Sequence, residues 1–387
     1  MPVKRMLFVG IYPNPADPYK NVFFQNLIFS LADQGVECTV IMPVSVTHYR
    51  GKADQIPREA VDTTKQGNKV AVYYPRCVTY SSKRIGSWNT GQLSEHSFQR
   101  CAVRMAKKLK QPFDCVYGHF FLEGGLAAVA VGRALGIPSF IAYGECDYDG
   151  QVRKRYGDLR AREVNGLRGL ISVSSDNTRE LRSLPFLNDV PIFLSPNAID
   201  PEIFHPLDRK ACREKLGIAP DLFIAGFVGS FIERKGDQRL LSAIQTLDGV
   251  YGAFAGKGEP QPQGEKVVFC QALRHEEIPV FLSACDIFVL PTLSEGCCNA
   301  VIEAMACGLP VVSSDLPFND DILDDTNAIR IDPNDVSAIR EAVRSLRDSG
   351  SLRRRLTEGA LKTTAKLTLA ARAAGIRSFI EKTLDGK

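Results

Sequence analysis

The strongest constraint on the fold is an alternation of short apolar segments with amphipathic helical segments, which runs through the chain twice. Segments rich in β-branched and aromatic residues predict strands at 6–11, 36–42, 69–74, 114–118, 138–143, 170–174 and 191–194, and again at 222–228, 250–255, 266–269, 286–290, 310–313 and 328–331. Some of the helical segments between them end at a glycine, as 22–34 does at Gly35 and 124–135 at Gly136. Strands that alternate with helices predict parallel sheets covered by helices on both faces.

The chain is too long for one hydrophobic core, since it has 387 residues and single cores stop growing at about 250–300 residues. The alternation restarts after the segment Ser195-Pro-Asn-Ala-Ile-Asp200. We therefore predict an α/β protein of two doubly wound, Rossmann-like domains, residues 1–195 and 196–362, that face each other across a cleft. We expect a C-terminal helix in 363–387 to pack back on the N-terminal domain. In such folds, ligands bind beyond the carboxyl ends of the strands.

Composition narrows the class further. Hydrophobic residues at 44% and charged residues at 24% are typical of a globular protein, and no run of about eighteen apolar residues predicts a membrane span. The 11 cysteines include no Cys-x-x-Cys pair, and no histidine cluster has metal-ligand spacing. We expect no metal site, no cofactor, and reduced thiols in a cytoplasmic protein.

The two halves of the chain carry opposite charge. Residues 1–185 contain 25 Lys and Arg against 16 Asp and Glu, a net charge of +9, whereas residues 186–387 contain 23 against 28, a net charge of −5. A basic N-terminal half suggests an anionic substrate or surface. Its densest cluster is the helical segment 100–110, for which a solvated face and a contact with an anionic membrane surface are equally good explanations. We expect no nucleic-acid partner.

A loop in the second half brings two cations to the end of a predicted strand. In Gly226-Phe-Val-Gly-Ser-Phe-Ile-Glu-Arg-Lys-Gly236, the strand runs into Gly229, and Arg234 and Lys235 precede a helix. The sequence is not a P-loop, because Gly-x-x-x-x-Gly-Lys-[Ser/Thr] is absent. Cations beside the free N–H groups of a helix N-terminus favour an anion such as a diphosphate. Taken alone, two basic residues in a surface loop are as readily explained without any function.

A second motif, Ala255-Gly-Lys-Gly-Glu259, places Gly256 and Gly258 directly after another predicted strand. By itself, Gly-x-Gly more often marks a tight turn than a ligand loop. This motif therefore supports a binding site only in combination with its neighbours.

The segment 293–312 carries two glutamates eight residues apart. Glu295 lies in a loop, and Glu303 lies in a helix predicted to have Asn299 as its N-cap and to stop at Gly308. Helical side chains lean towards the N-terminus, so the Glu303 carboxylate is expected to reach back over the first turn. The free N–H groups of 298–301 and the two carboxylates would bind an anion and hydroxyl groups. An acid/base pair is less favoured, because a helix N-terminus favours ionised carboxylates.

Taken in order, these motifs resemble the C-terminal domain of the family-4 retaining glycosyltransferases, which have the GT-B fold. The segment Glu295-Gly-Cys-Cys-Asn-Ala-Val-Ile-Glu303 is similar to the Glu-x7-Glu signature of that family. The segments Asp286-Ile-Phe-Val-Leu-Pro291 and 195–200 extend the likeness, which is weaker in the N-terminal half. The variant with Cys297 and Asn299 resembles members that build bacterial cell-envelope and capsular polysaccharides.

The resemblance implies a role for each motif. Arg234 and Lys235 would neutralise the diphosphate of a nucleotide-sugar donor and stabilise the leaving group, and Glu303 would accept hydrogen bonds from the ribose hydroxyls. Glu295 would hold the transferred sugar, and Arg234, Lys235 and Glu295 would be the catalytic residues. The family works without a metal, retains the anomeric configuration, and would here transfer a hexosyl or N-acetylhexosaminyl group from a UDP-sugar, or a GDP-sugar, to a glycan or lipid-linked acceptor. The remaining donor-binding residues would be Gly229, Gly256, Gly258, Cys297, Cys298 and Asn299.

The N-terminal half departs from the family pattern. Family members usually carry a histidine near the end of strand 138–143, and it lies near the sugar. This chain has Tyr143 there, which is a candidate contact for the sugar or the acceptor. Glu145 and Asp147 follow at once, and either is a candidate for contacting the acceptor. His119, at another strand end, is a candidate contact for the donor or acceptor and equally a candidate structural histidine.

Three other functions stay open at this point. A sugar-nucleotide epimerase of similar architecture lacks the Glu-x7-Glu pattern, and a non-catalytic nucleotide-sugar sensor would keep the donor residues while losing those for the acceptor. A glycoside hydrolase is the least favoured. The sequence favours a cytoplasmic glycosyltransferase, peripheral on the inner face of the plasma membrane through its basic N-terminal domain.

Overall fold

The computed structural model describes residues 2–85 and 88–386. It divides into two compact units, of which the first holds the chain up to Ser195 and again from Leu369, and the second holds Pro196–Thr368. The first division falls where the sequence predicts it. The second falls six residues later than predicted. The C-terminal helix expected in 363–387 is Leu369–Leu384, and the residues before it include the end of another helix, Gly350–Thr364.

The first unit is built on one large sheet. The strands of this unit are β1 Arg5–Val9, β2 Glu37–Ile41, β3 Val44–Ser45, β4 Glu59–Thr63, β5 Lys69–Tyr73, β6 Arg76–Cys77, β7 Arg84–Ile85, β8 Trp88–Asn89, β9 Cys115–His119, β10 Ser139–Tyr143, β11 Leu167–Ser172 and β12 Ile192–Leu194. Strand β3 pairs with β6, and β7 pairs with β8, in two small sheets that are separate from the large one. The large sheet has the order β12-β11-β10-β9-β1-β2-β5-β4. Its pairs are parallel except for β4 with β5.

Helices cover both faces of this sheet. They are α1 Val22–Asp33, α2 Gly91–Leu109, α3 Leu126–Leu135, α4 Lys154–Tyr156, α5 Ser175–Arg182 and the C-terminal Leu369–Leu384. Successive side chains of a strand point to opposite faces. Phe8 accordingly packs in a cluster with residues of α1 and the C-terminal helix, whereas Leu7 and Val9 pack with residues of α2 and α3. The C-terminal helix thus packs on the N-terminal sheet.

The second unit is a smaller parallel sheet. Its strands are β13 Phe223–Val228, β14 Val250–Ala255, β15 Val267–Gln271, β16 Ile287–Leu290, β17 Val311–Ser314 and β18 Ala328–Ile331, in the order β15-β14-β13-β16-β17-β18. The helices are α6 Arg209–Leu216, α7 Asp237–Ile244, α8 Ile278–Ala284, α9 Asn299–Ala306, α10 Val336–Asp348 and α11 Gly350–Thr364, and we name the C-terminal helix Leu369–Leu384 α12. The predicted α/β class with parallel sheets is confirmed.

Strand β4 and helix α2 differ from the sequence prediction. Strand β4 was not predicted, because its side chains alternate only between exposed and half-buried and carry no apolar period. Helix α2 begins at Gly91, well before the predicted basic segment 100–110, and its buried side chains include Phe98, Cys101 and Ala102.

The order of strands reverses between β1 and β9 in the first unit and between β13 and β16 in the second. Loops at such switch points form binding crevices.

Candidate functional site

Two loops meet at the switch point of the second sheet. One follows β13 and ends at Lys235, and the other follows β16 and leads into α9. The Leu293 N–H donates to the Arg234 carbonyl at 2.8 Å, and the Arg239 guanidinium donates to the Pro291 carbonyl at 2.8 Å. These bonds hold the two loops side by side at the carboxyl edge of the sheet, so that residues 60 positions apart in the sequence share one site.

Glu295 is the centre of this site. Its Oε1 accepts hydrogen bonds from Arg234 Nη1 and Thr292 Oγ1, both at 3.0 Å, and it forms a salt bridge with the Lys235 ammonium. The Glu295 side chain is only 10% exposed and that of Lys235 16%, whereas that of Arg234 is 36% exposed. The structure therefore brings the three residues predicted to be catalytic into one cluster, in which one carboxylate is shared by two cations.

The surroundings of Lys235 favour its charged form. Burial by itself would lower the pKa of Lys235, but the neighbouring Cys298 and the ion pair with Glu295 outweigh it, and the pKa is raised. Burial raises the pKa of Cys298 to about 12, and the nearby Glu295 adds to the shift. A thiol with this pKa stays protonated at neutral pH and is a poor nucleophile. Cys298 thus has no chemical feature of a reactive cysteine.

Helix α9 begins directly beside this cluster. The prediction of Asn299 as the N-cap is wrong by one residue, because Asn299 is already helical and Cys298, with extended φ and ψ, occupies the N-cap position. Upstream, the Asn197 side chain donates to the Cys297 carbonyl at 2.9 Å and fixes the approach to the helix. The first N–H groups of the helix have no intrahelical partner, and the N-cap residue Cys298 is close enough to Lys235 to affect its pKa.

Glu303 lies one turn into α9 and is buried, with 8% of its surface exposed. Its Oε1 is 3.2 Å from Nε2 of His275, a residue in the turn after β15. The hydrogen bond with Glu303 raises the pKa of His275, although burial opposes the shift. His275 belongs to none of the motifs recognised in the sequence, although its position just beyond the end of a parallel strand is a signal that could have identified it.

The two glycines of the Gly-x-Gly motif have a packing role. A Cβ on Gly256 would collide with the Gly229 carbonyl, and one on Gly258 would collide with the Phe231 carbonyl. The Phe231 N–H also donates to the Lys257 carbonyl at 2.9 Å. The loops after β13 and β14 therefore approach so closely that glycine is required, whether or not a ligand binds there.

In the first unit, His119 and Glu145 line one pocket of about 300 Å³, together with Lys20, Glu123, Arg155 and others. Burial, with a smaller effect of Arg372, lowers the pKa of His119 to about 3, so its imidazole is neutral at physiological pH. Burial raises the pKa of Glu145 to about 7, even though its carboxylate accepts from the Phe121 N–H at 2.6 Å.

The other two acceptor-side candidates lie elsewhere. The Tyr143 side chain is fully buried, and its hydroxyl donates to the Glu180 carboxylate, so it does not line this pocket. Asp147 is exposed and accepts a hydrogen bond from the Gly150 N–H. The prediction of Tyr143 as a sugar contact gains no support from this geometry, because the phenol belongs to the core.

No group of three or more His, Cys, Asp and Glu in 2–85 and 88–386 could hold a metal ion. Over the same residues, no helix is both long and apolar enough to cross a membrane. None of the eleven cysteines, which all lie within the described ranges, forms a disulfide bond.

Comparison with known proteins identifies the second unit. Residues 208–363 match the family model of the glycosyl transferases, group 1. The chain carries a group 1 glycosyl transferase domain. This domain contains the cation pair, both glutamates and His275, so the family resemblance predicted from the Glu-x7-Glu segment is confirmed.

Two named glycosyltransferases are similar to more of the chain than this domain. The chain is 26% identical over 364 residues to the putative teichuronic acid biosynthesis glycosyltransferase TuaC of Bacillus subtilis, with 88% of each chain covered. It is 24% identical over 291 residues to a D-inositol 3-phosphate glycosyltransferase of Stackebrandtia nassauensis, covering 66% of this chain and 65% of that protein.

Similarity to solved structures over almost the whole chain confirms the GT-B fold. Sucrose-phosphate synthase from Thermosynechococcus elongatus matches 99% of this chain and all of its own with a TM-score of 0.77, at 17% identity. HepE from Anabaena, in complex with UDP and glucose, matches 100% of both chains with a TM-score of 0.68, at 14% identity.

Proposed function

We propose that this protein is a retaining glycosyltransferase that moves a hexosyl or N-acetylhexosaminyl group from a nucleotide-diphosphate sugar to a glycan or lipid-linked acceptor in envelope polysaccharide synthesis. The observation that carries the proposal is the cluster of Arg234, Lys235 and Glu295 beside the start of α9. A cation pair next to free helix N–H groups suits a diphosphate, and the group 1 domain contains the whole cluster.

In the proposed mechanism, the diphosphate binds Arg234 and Lys235 and draws them away from Glu295. The two cations then stabilise the negative charge that develops on the leaving phosphate as the bond to the sugar breaks. Glu295, released from the salt bridge, accepts hydrogen bonds from the hydroxyls of the transferred sugar, and Glu303 accepts them from the ribose. The acceptor hydroxyl attacks from the face that the phosphate leaves, and that phosphate takes its proton, so the configuration is retained.

The donor and the acceptor are proposed from the relatives. HepE has been crystallised with UDP-glucose, which favours a UDP-sugar over a GDP-sugar. The name of TuaC refers to teichuronic acid, which favours an envelope glycan. In the first unit, the pocket with His119 and Glu145 lies at the carboxyl end of β9 and β10, where an acceptor would bind.

Incubation with UDP-, GDP- and ADP-sugars and a panel of acceptors tests the proposal. We expect acceptor-dependent release of the nucleotide, unchanged by a chelator, and a product whose anomeric configuration, read by proton NMR, equals that of the donor. Epimerised donor without an acceptor would show the epimerase instead. Donor binding with no turnover on any acceptor would show the sensor, and an inverted product would refute retention.

We also propose peripheral membrane association through α2. Arg100, Arg104, Lys107 and Lys108 are exposed and recur at helical spacing, so they lie on one face opposite the buried Phe98, Cys101 and Ala102. Each cation near an anionic membrane surface contributes about 1 kcal/mol of binding free energy. Sedimentation with vesicles should require anionic lipid and weaken in a variant with Lys107→Glu and Lys108→Glu. Equal sedimentation with neutral vesicles would refute this.

A further inference from the structure

His275 is not part of the Glu-x7-Glu signature, yet it contacts the second glutamate of that signature. Its Nε2 lies 3.2 Å from Oε1 of Glu303, within hydrogen-bond distance. Because Oε1 is engaged by the imidazole, the second carboxylate oxygen is the one presented to a ligand. The Glu303 carboxylate is thereby fixed in one orientation before any donor arrives.

The imidazole is itself held in place by its surroundings. His275 begins a single 3₁₀ turn, which is closed by a hydrogen bond from the Arg274 N–H to the Glu277 carboxylate at 2.9 Å. The ring packs edge-to-face against the buried Phe204, with centroids 5.2 Å apart. A free glutamate side chain loses rotamer entropy when a ligand orders it, and this arrangement removes much of that loss in advance.

The charges around the ring strengthen the bond. The carboxylate of Glu303 on α9 and that of Glu276 in the same turn both favour the imidazolium form, while burial opposes it, and the net effect is a raised pKa of His275. A hydrogen bond between imidazolium and carboxylate is stronger than one between neutral groups. The pair is therefore suited to holding the carboxylate in the acceptor-only form that hydroxyl groups require.

We propose that His275 is a positioning residue that orients Glu303 towards the ribose hydroxyls of the donor. This inference rests on the proposed function, because it assumes that a nucleotide occupies the site. It goes beyond that function by assigning ribose recognition to a pair of residues from two different elements. It requires that His275 affect binding only through the ribose, and not through the diphosphate.

The test is calorimetric titration of wild type, His275→Leu and His275→Gln with UDP and with 2′,3′-dideoxy-UDP, and likewise with the guanosine pair if UDP does not bind. We expect wild type to prefer UDP by about tenfold or more, since a hydrogen bond to a charged group has this effect. His275→Leu should lose most of that preference and His275→Gln, which keeps a donor, should retain part of it. Both variants should bind dideoxy-UDP as wild type does.

Two controls separate this inference from simpler explanations. His205→Leu removes an exposed histidine nearby, whose Nδ1 lies 3.2 Å from the Pro201 carbonyl, and should leave the preference unchanged. Adding His275→Leu to Glu303→Gln should cause no further loss of preference, because both changes remove the same contact. If His275→Leu or His275→Gln, folded by circular dichroism, keeps the full wild-type preference, the inference is overturned while the proposed function stands. If wild type binds neither nucleotide, the proposed function itself fails.

Discussion

Replacing Glu295 by glutamine is the most informative perturbation of the site. The change keeps the shape of the side chain and an oxygen that can accept from Thr292, which now lies 3.0 Å away. It removes the negative charge that Arg234 and Lys235 share. We expect two opposite effects, a loss of stability without ligand and a larger gain of stability with UDP.

The magnitude follows from the burial of the pair. The Lys235 side chain is 16% exposed, and removing one partner of a buried ion pair costs about 3–5 kcal/mol. Because Arg234 is 36% exposed and water can screen it, we expect the low end, about 3 kcal/mol. For a domain of 150–250 residues this lowers Tm by about 6–12 °C.

UDP should then stabilise the variant more than it stabilises wild type. In wild type the diphosphate must compete with Glu295 for the two cations, whereas in Glu295→Gln it meets no competitor. A ligand at 100 times its Kd adds about 2.7 kcal/mol of stability, and at one fixed UDP concentration the tighter binder gains more. Turnover of the sugar donor should nevertheless fall, because the transferred sugar loses a charged acceptor.

Thermal unfolding with and without UDP measures both effects, and Glu233→Gln is the matched control. Glu233 lies in the 3₁₀ turn that contains Arg234 and Lys235. It is exposed, and it carries the same charge as Glu295 without forming an ion pair with either cation. The control should unfold like wild type and respond to UDP like wild type. If Glu295→Gln keeps the wild-type Tm, or gains no more from UDP than the control, the competition between glutamate and diphosphate does not exist.

Three further predictions concern packing and protonation. Gly256→Ala should destabilise by about 1–3 kcal/mol, seen in chemical denaturation, because the added carbon collides with the Gly229 carbonyl. Tyr143→Phe should destabilise by about 1.5–3 kcal/mol through its lost bond to Glu180, while the KM for donor stays unchanged in the transfer assay. The hydrogen bond with Glu303 raises the pKa of His275. Its contribution to stability is fully present below the unfolded pKa of about 6.5 and is lost as the pH rises through the pKa of the folded state. The Tm advantage of wild type over His275→Gln should therefore shrink from pH 6 to pH 9. An unaltered denaturation midpoint for the first, a raised KM at unaltered stability for the second, and a constant Tm difference for the third would contradict these expectations.

The fold was largely predictable because its signals are local. Parallel strands buried on both faces appear as continuous apolar runs, as in β1 and β13, and Gly136 marks the end of α3 with φ 71°. Strand β4 escaped prediction because an edge strand paired on one side needs no apolar face. The break between α11 and α12 escaped because both segments are amphipathic and no glycine or proline separates them.

The order of motifs predicted that Arg234, Lys235 and Glu295 share one site, but it did not predict their contacts. Sequence spacing could not indicate that Glu295 joins two cations 60 and 61 residues away, or that His275 contacts Glu303 from another element. On the N-terminal side, Tyr143 stood at the position expected for a sugar contact, yet its size and apolar neighbours place it in the core. A residue's position at a strand end predicts that it lies near a site, whereas the direction of its side chain depends on packing.

The most direct test of the account is whether the diphosphate is recognised by the cation pair. Calorimetric titration of wild type, Lys235→Met and the control Lys257→Met should compare UDP with UMP, or the diphosphate with the monophosphate of whichever nucleoside binds. Lys257 is an exposed lysine of the Gly-x-Gly loop. We predict that wild type and the control bind the diphosphate at least about tenfold more tightly than the monophosphate, and that Lys235→Met loses most of this difference. Equal discrimination in Lys235→Met and wild type would contradict the central claim.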